Sequence, residues 1–193
     1  MSKIIRITSV KGGVGKSTVA AFMAKYLSER GNVLVIDLDN LGHLSSLIEI
    51  LRLKDVEARR ELGDLDKLRK MSGYDYVIID DPDLLKVIED PSQDIINVVI
   101  SDVLALASTL KYLDKIGGVK ALIVNMVPPL PADFSKIIKA VRELNVDLKA
   151  VIPFIPKIFS LLVRQDSKTE LPIVKRLAIA IENNEFNGEV ITR

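Results

Sequence analysis

Three observations predict an α/β fold in which a doubly wound, mostly parallel β-sheet is flanked by helices. Short β-branched runs alternate with longer helical patterns, the runs are almost wholly apolar, and 193 residues suit one domain without a disulfide or metal staple. The expected strands are Ile4–Ser9, Val33–Asp37, Tyr76–Asp80, Ile95–Ile100, Val119–Asn125 and Leu148–Ile152. Strands covered on both faces read as unbroken apolar runs rather than as alternating ones. The expected helices are Lys16–Glu29, Asp55–Lys70, Asp102–Lys115, Pro131–Leu144 and Leu171–Asn183. Gly31 follows the first as a C-cap, and Pro131-Ala132-Asp133 opens a later one with proline and an acid in its first turn. The segment Asn40–Lys54 reads as a loop, a short helix or both. No repeat or low-complexity linker divides the chain, so residues 1–193 are expected to form a single domain.

With 48% apolar and 27% charged residues, the chain cannot be disordered, collagen-like or a coiled-coil rod. The absence of cysteine excludes thiol catalysis, iron–sulfur clusters and cysteine zinc sites, and the lone His43 argues against a histidine metal cage. Charges in Met1–Arg6 interrupt any signal peptide, and no later run reaches the roughly 18 apolar residues of a membrane span. The polar residues 182–193 offer no basic amphipathic tail. A cytoplasmic protein without a membrane partner is expected. The net charge of +1 conceals an asymmetry: nine bases against four acids between Lys136 and Arg176 give +5 there and −4 elsewhere.

The most specific motif lies between the first strand and the first helix: Val10-Lys11-Gly12-Gly13-Val14-Gly15-Lys16-Ser17-Thr18. Three glycines let the backbone curl so that its N–H groups surround a phosphate, and the helix adds its positive N-terminal end. Lys16 reaches the β- and γ-phosphates of such a ligand, and the Ser17 hydroxyl can bind Mg²⁺. The second strand ends Asp37-Leu38-Asp39, which sends both acids to one side of the extended chain at the carboxyl edge of the sheet. Two acids there need a cation, which a Mg²⁺–phosphate complex supplies. Tyr76-Val77-Ile78-Ile79-Asp80 delivers one further carboxylate to the Mg²⁺ water shell. Asp80 is the candidate, with Asp81 as its alternative, and one acid of Asp80-Asp81-Pro82-Asp83 serves as a helix cap or stays solvated.

Lys11–Thr18 resembles the deviant Walker A box of the ParA/MinD group of P-loop ATPases, and the whole pattern is most similar to ParA-like partition proteins. The resemblance runs from Lys3 to about Ala180 and implies an ATP hydrolase using ATP and Mg²⁺. It implies that Gly12, Gly13, Val14, Gly15, Lys16, Ser17 and Thr18 cradle the nucleotide, and that Lys11 reaches the phosphates of a second copy in an ATP-dependent sandwich dimer. Asp37 and Asp80 would support the Mg²⁺ with Ser17, and Asp39 would position or activate the attacking water; Lys11, Lys16 and Asp39 are thus the catalytic candidates. The usual Pro-Gln after the second acid is here Asn40-Leu41, which bears on switch geometry rather than on nucleotide binding. Asn125 matches the asparagine that reads adenine, although a strand-ending asparagine is also an ordinary turn former. Pro153 and Phe154 match the loop beside the base, where Phe154 either stacks on adenine or fills the core.

Relatives that need cysteines, and MinD-like ones that end in a membrane-binding helix, fit this chain less well. The function implied is ParA-like partition of a chromosome or plasmid. The ATP-bound homodimer would bind nonspecific DNA, a ParB-like centromere-binding partner would stimulate hydrolysis, and the protein would associate with the nucleoid. Arg164, Lys168, Lys175 and Arg176 are the candidate DNA contacts, against the alternative of ordinary solvated charges. A MinD-like positioning switch that acts on a protein complex without DNA is the alternative function.

Overall fold

The computed structural model describes residues 2–60, 73–90, 92–160 and 167–192. Its strands are β1 (Lys3–Thr8), β2 (Val33–Asp37), β3 (Val56–Arg59), β4 (Tyr76–Asp80), β5 (Ile95–Ser101), β6 (Val119–Val127), β7 (Leu148–Pro153) and β8 (Val190–Ile191). The helices among the described residues are α1 (Lys16–Ser28), α2 (His43–Leu51), α3 (Leu84–Glu89), α4 (Leu106–Leu113), α5 (Pro131–Arg142), α6 (Pro156–Phe159) and α7 (Pro172–Glu182). All strand pairs are parallel, in the order β3-β2-β4-β1-β5-β6-β7-β8. The expected α/β class is therefore the observed one. The chain leaves β1 toward β2 and β3, returns through β4, and then builds outward from β5 on the other flank. The loops after β1, β2, β4 and β5 thus converge at one point of the carboxyl edge, where open parallel sheets hold their ligands.

Strand alternation sorts the core into layers. Ile5, Ile7, Val35, Ile78, Val98 and Ile123 face α1, α2 and α7. Leu122, Val124, Val99 and Val151 face α3, α4 and α5 on the opposite side. Helix α1 is buried almost all round, from Val19 to Leu27 with Lys25 excepted, and its alanines 20, 21 and 24 let sheet and neighbouring helices approach closely. At its far end Tyr26 accepts a hydrogen bond from Leu171 N–H at 2.6 Å and donates one to Glu170 at 2.8 Å. Lys25 adds a 2.6 Å ion pair to Glu170 and a 2.9 Å bond to Thr169 O, so the entry to α7 is fastened to α1.

The expected helix Asp55–Lys70 is corrected at its start, where Val56–Arg59 forms the edge strand β3; residues 61–70 lie outside the described residues. Val56 is buried while Glu57, Ala58 and Arg59 are exposed, and pairing with β2 outweighs the weak helical preference of a charged run. Helix α4 is shorter than the expected Asp102–Lys115, because the Asp102 carboxylate accepts from Ala105 N–H at 2.7 Å and caps the turn before it. Gly31 is not a left-handed C-cap. Glu29 is the C-cap, in a right-handed conformation, and a β-carbon on Gly31 would lie 2.5 Å from Asp75 Oδ2, so close packing favours the glycine. Asp83 caps α3 by accepting from Leu85 and Lys86 N–H.

Candidate functional site

The loop from Val10 to Gly15 joins the middle of the sheet to α1. Gly13 and Gly15 adopt left-handed conformations, with φ of 76° and 95°, that side chains resist. A β-carbon on Gly15 would also meet Asn125 Nδ2 at 2.5 Å. Gly12 is different. Its conformation is not left-handed, and a β-carbon there would find nothing within 4 Å. The same open space lies beside Gly13, so both glycines leave their side of the loop uncovered. Val14 is buried and Val10 packs partly into the core, so apolar anchors hold the loop from both ends.

Beneath the loop, Ser17 Oγ donates to Asp80 Oδ2 at 2.6 Å. Asp80 is wholly buried, and its second oxygen, Oδ1, has no hydrogen-bond partner. Burial pushes the Asp80 carboxyl up to about 6, against the opposing Ser17 hydrogen bond and Lys16 charge and with help from Asp37 and Asp39. An orphaned carboxylate oxygen beside a serine hydroxyl is the arrangement that a hydrated divalent cation would complete. Among the described residues no group of three or more His, Cys, Asp or Glu could hold a metal ion.

Asp37 faces Asp80 across the β2–β4 register. Its oxygens accept from Asp39 N–H at 3.1 Å and from both Ser45 N–H and Ser45 Oγ at 3.0 Å, so Asp37 organises the loop that follows it. Asp39 is half-buried on that loop, with Leu41 N–H at 3.1 Å and His43 Nδ1 at 3.4 Å from its carboxylate. Lys11, with half its side chain exposed, pairs with Asp102 at 2.8 Å. Burial would raise the Asp102 carboxyl, but Lys11 and the Ala105 N–H hold it below the usual range.

A register shift between Val124 and Val127, with Met126 at φ 56°, bulges β6 at Asn125. The Asn125 amide is thereby turned toward the loop and donates to Val14 O at 2.8 Å. Phe154 N–H bonds to Val127 O at 2.8 Å, and the Phe154 ring is 40% exposed beside the bulge, which removes it from the core. Pro153, half-buried, ends β7 next to it.

Residues 5–191 match the family model described as the CobQ/CobB/MinD/ParA nucleotide binding domain. The chain belongs to this family. The maintenance of carboxysome distribution protein A of Gloeobacter kilaueensis is 27% identical over 154 residues, 78% of this chain and 58% of that protein, so the chain spans less than two thirds of that relative's length. A plasmid partition protein of Borrelia burgdorferi B31 bound to AMPPNP superposes with a TM-score of 0.66 at 17% identity, over 95% of this chain and 98% of that one. The MinC:MinD cell division protein complex of Aquifex aeolicus gives 0.64 at 18% identity, over 95% of each chain. At these identities the structures establish a shared fold.

Within this nucleotide-binding domain the basic carboxyl-terminal third is not one patch. Lys149 is buried, and its ammonium donates to Arg142 O and Leu144 O at the end of α5. Lys136, Lys139 and Arg142 lie on α5, on one side of the sheet, whereas Lys175 and Arg176 lie on α7, on the other. Lys168 precedes α7, and Lys175 pairs with Glu29 at 3.7 Å. Arg164 lies outside the described residues. Sequence reasoning missed Ser45, Asp102 and Arg60, which touch Asp37, Lys11 and the Asp39 loop respectively. Asp102 carried a usable signal, a polar residue directly after an apolar strand at the carboxyl edge. No helix among the described residues is long and apolar enough to cross a membrane.

Proposed function

We propose that this chain is a ParA-like ATPase that dimerises around ATP and releases its partner after hydrolysis. The observation that carries the reading is the joint placement, at one sheet edge, of a glycine loop with left-handed turns at Gly13 and Gly15, the buried orphan oxygen of Asp80, and a half-exposed Lys11 outside them. Backbone N–H groups from Gly12 to Thr18 and the start of α1 hold the phosphates, and Lys16 offsets their charge. Mg²⁺, when bound, neutralises the charge that develops on the phosphates. Ser17 would turn its hydroxyl from Asp80 to bind the ion, leaving both Asp80 oxygens to accept from its water shell. Asp37 keeps the β2–α2 loop in place, and Asp39 orients the attacking water. Asn125, Pro153 and Phe154 border the space for the base. Lys11 leaves Asp102 to reach the phosphates of the second copy.

A sandwich needs an apolar rim, and the carboxyl edge has one. Leu41, Leu85, Leu104, Leu130 and Phe154, the large apolar side chains most exposed among the described residues, each follow a parallel strand at that edge. The ATP-bound dimer is proposed to grip nonspecific DNA through Lys168, Lys175 and Arg176 on the α7 side, with a ParB-like partner that stimulates hydrolysis. Burial of Lys149 and the division of the bases between two sheet faces favour a second reading, a MinD-like positioning switch that acts on a protein complex without DNA. Gel-shift of plasmid DNA with ATP across a salt series separates them. Binding that weakens steeply with salt supports partition; no binding at any salt, with the dimer confirmed, supports the switch.

A further inference from the structure

Arg59 ends β3 and Arg60 follows it, and the two arginines do different things. Arg59 stays within the edge of the sheet, bonded to Glu57 at 2.7 Å and to the Tyr74 hydroxyl at 3.3 Å. Arg60 reaches across to the loop after β2, donating from Nη2 to Asn40 O at 2.8 Å and to Asp39 O at 3.3 Å. Its guanidinium packs against Gly42, where a β-carbon would lie 3.3 Å from Cζ and 3.4 Å from Nη2. Gly42 therefore serves twice: its φ of 67° closes the turn onto Asp39 O at 3.0 Å, and its bare face leaves room for the arginine.

We propose that Arg60 is a positioning residue for Asp39. The carboxylate of Asp37 fastens the loop at Asp39 N–H and at Ser45, its two ends. Between them, the carbonyls of Asp39 and Asn40 converge on one cation, which offsets their mutual repulsion and fixes the turn that aims the Asp39 side chain. Without that cation the loop keeps both anchors and the Gly42 N–H bond to Asp39 O, but loses the side-chain tie across its middle. A displacement of about 1 Å at a group that aligns a nucleophile costs on the order of 100-fold in rate. The kinetic part of this inference rests on the ATPase reading; the structural part does not.

The test pairs two readouts on the full chain. Amide hydrogen exchange is followed in peptides covering Leu38 to His43, without nucleotide, for the wild type, Arg60→Ala, Arg60→Lys, Arg59→Ala and Gly42→Ala. Steady-state kcat and KM for ATP are measured on the same proteins. Arg60→Ala is expected to speed exchange at Leu41 and Gly42 about ten-fold and to lower kcat at least ten-fold, with KM changed less than about two-fold because the phosphate loop is untouched. Arg60→Lys recovers part of both effects. Gly42→Ala strains the φ of 67° as well as crowding the guanidinium, and is expected to speed loop exchange at least as much as Arg60→Ala. Arg59→Ala leaves loop exchange unchanged. Unchanged exchange in Arg60→Ala, or faster exchange with full kcat, overturns the proposal. A wild type that never turns over ATP contradicts the ATPase reading instead, and the exchange result then decides alone whether Arg60 straps the loop.

Discussion

Above pH 6 the Asp80 carboxylate is ionised in a place that solvent does not reach, with Ser17 Oγ on one oxygen and nothing on the other. Below the ordinary value of 3.8 both the folded and the unfolded chain hold the proton, while above about 6 only the folded chain bears a poorly solvated charge. The contribution of this group to stability is therefore lost as pH rises from about 4 to 6. The shift corresponds to roughly 3 kcal/mol at neutral pH. Asp80→Asn is thus expected to raise the melting temperature at pH 7.5 by about 5 °C or more and to leave it nearly unchanged at pH 4. A calorimetric pH series checks this, and a substitution that destabilises at pH 7.5 refutes the assignment. At Lys11 the tie to Asp102 competes with any other anion for the lysine. Asp102→Asn should lower the concentration of ATP analogue needed for half-maximal dimerisation by about three- to ten-fold, read by analytical ultracentrifugation; no shift would mean the pair does not restrain Lys11. The glycine and lysine pattern around Lys16 was legible in sequence because each residue type has one dominant physical use there. Ser45 and Arg60 were not, because each acts through a partner on another element, Asp37 at the end of β2 and the loop after it. Asp102 carried a usable signal in its place after an apolar strand, but its pairing with Lys11, 91 residues away, was not visible.

Helix α1 is the element through which the site and the core meet. Its N-terminus opens under the phosphate loop, and its C-terminal turn anchors α7 through Tyr26. Burial and the Glu170 carboxylate push the Tyr26 hydroxyl well above its usual range, so at any physiological pH it is a neutral donor and acceptor. Tyr26→Phe leaves Leu171 N–H and one Glu170 oxygen without this partner and should cost about 1–3 kcal/mol, measured by urea denaturation. Phe22→Ala, in the fully buried middle of the same helix, should cost about 3–5 kcal/mol. Most strands were legible because a two-sided parallel sheet writes nearly unbroken apolar runs, as in Tyr76–Ile79, and in Ile95–Ile100 where only Asn97 interrupts. Strand β3 escaped because an edge strand buries one residue, Val56, and shows charge elsewhere. The β6 bulge escaped as well. Nothing local in Asn125-Met126 announces the register shift that turns the amide toward Val14; only the pairing of β6 with β7 reveals it.

At the scale of the molecule, one sheet edge carries the glycine loop, the acids, the exposed Lys11 and the exposed apolar side chains, while the bases of the carboxyl-terminal third divide between the two faces. The charge split along the chain suggested a single basic surface that the fold does not build. If the proposed DNA contact lies on the α7 side, Lys175→Ala with Arg176→Ala should weaken plasmid binding and reduce its salt slope by up to about two, one per phosphate contact removed. An unchanged slope in that double variant places the contact elsewhere. Every reading of the site requires that ATP, and not ADP, bring two copies together at this edge. Light scattering coupled to size exclusion, run with ADP and then with a non-hydrolysable ATP analogue plus Mg²⁺, measures that directly. The mass of one chain with ADP and of two with the analogue, the second lost in Lys11→Ala, is the expected outcome. The same mass with both nucleotides, while binding of each is verified, would contradict the account.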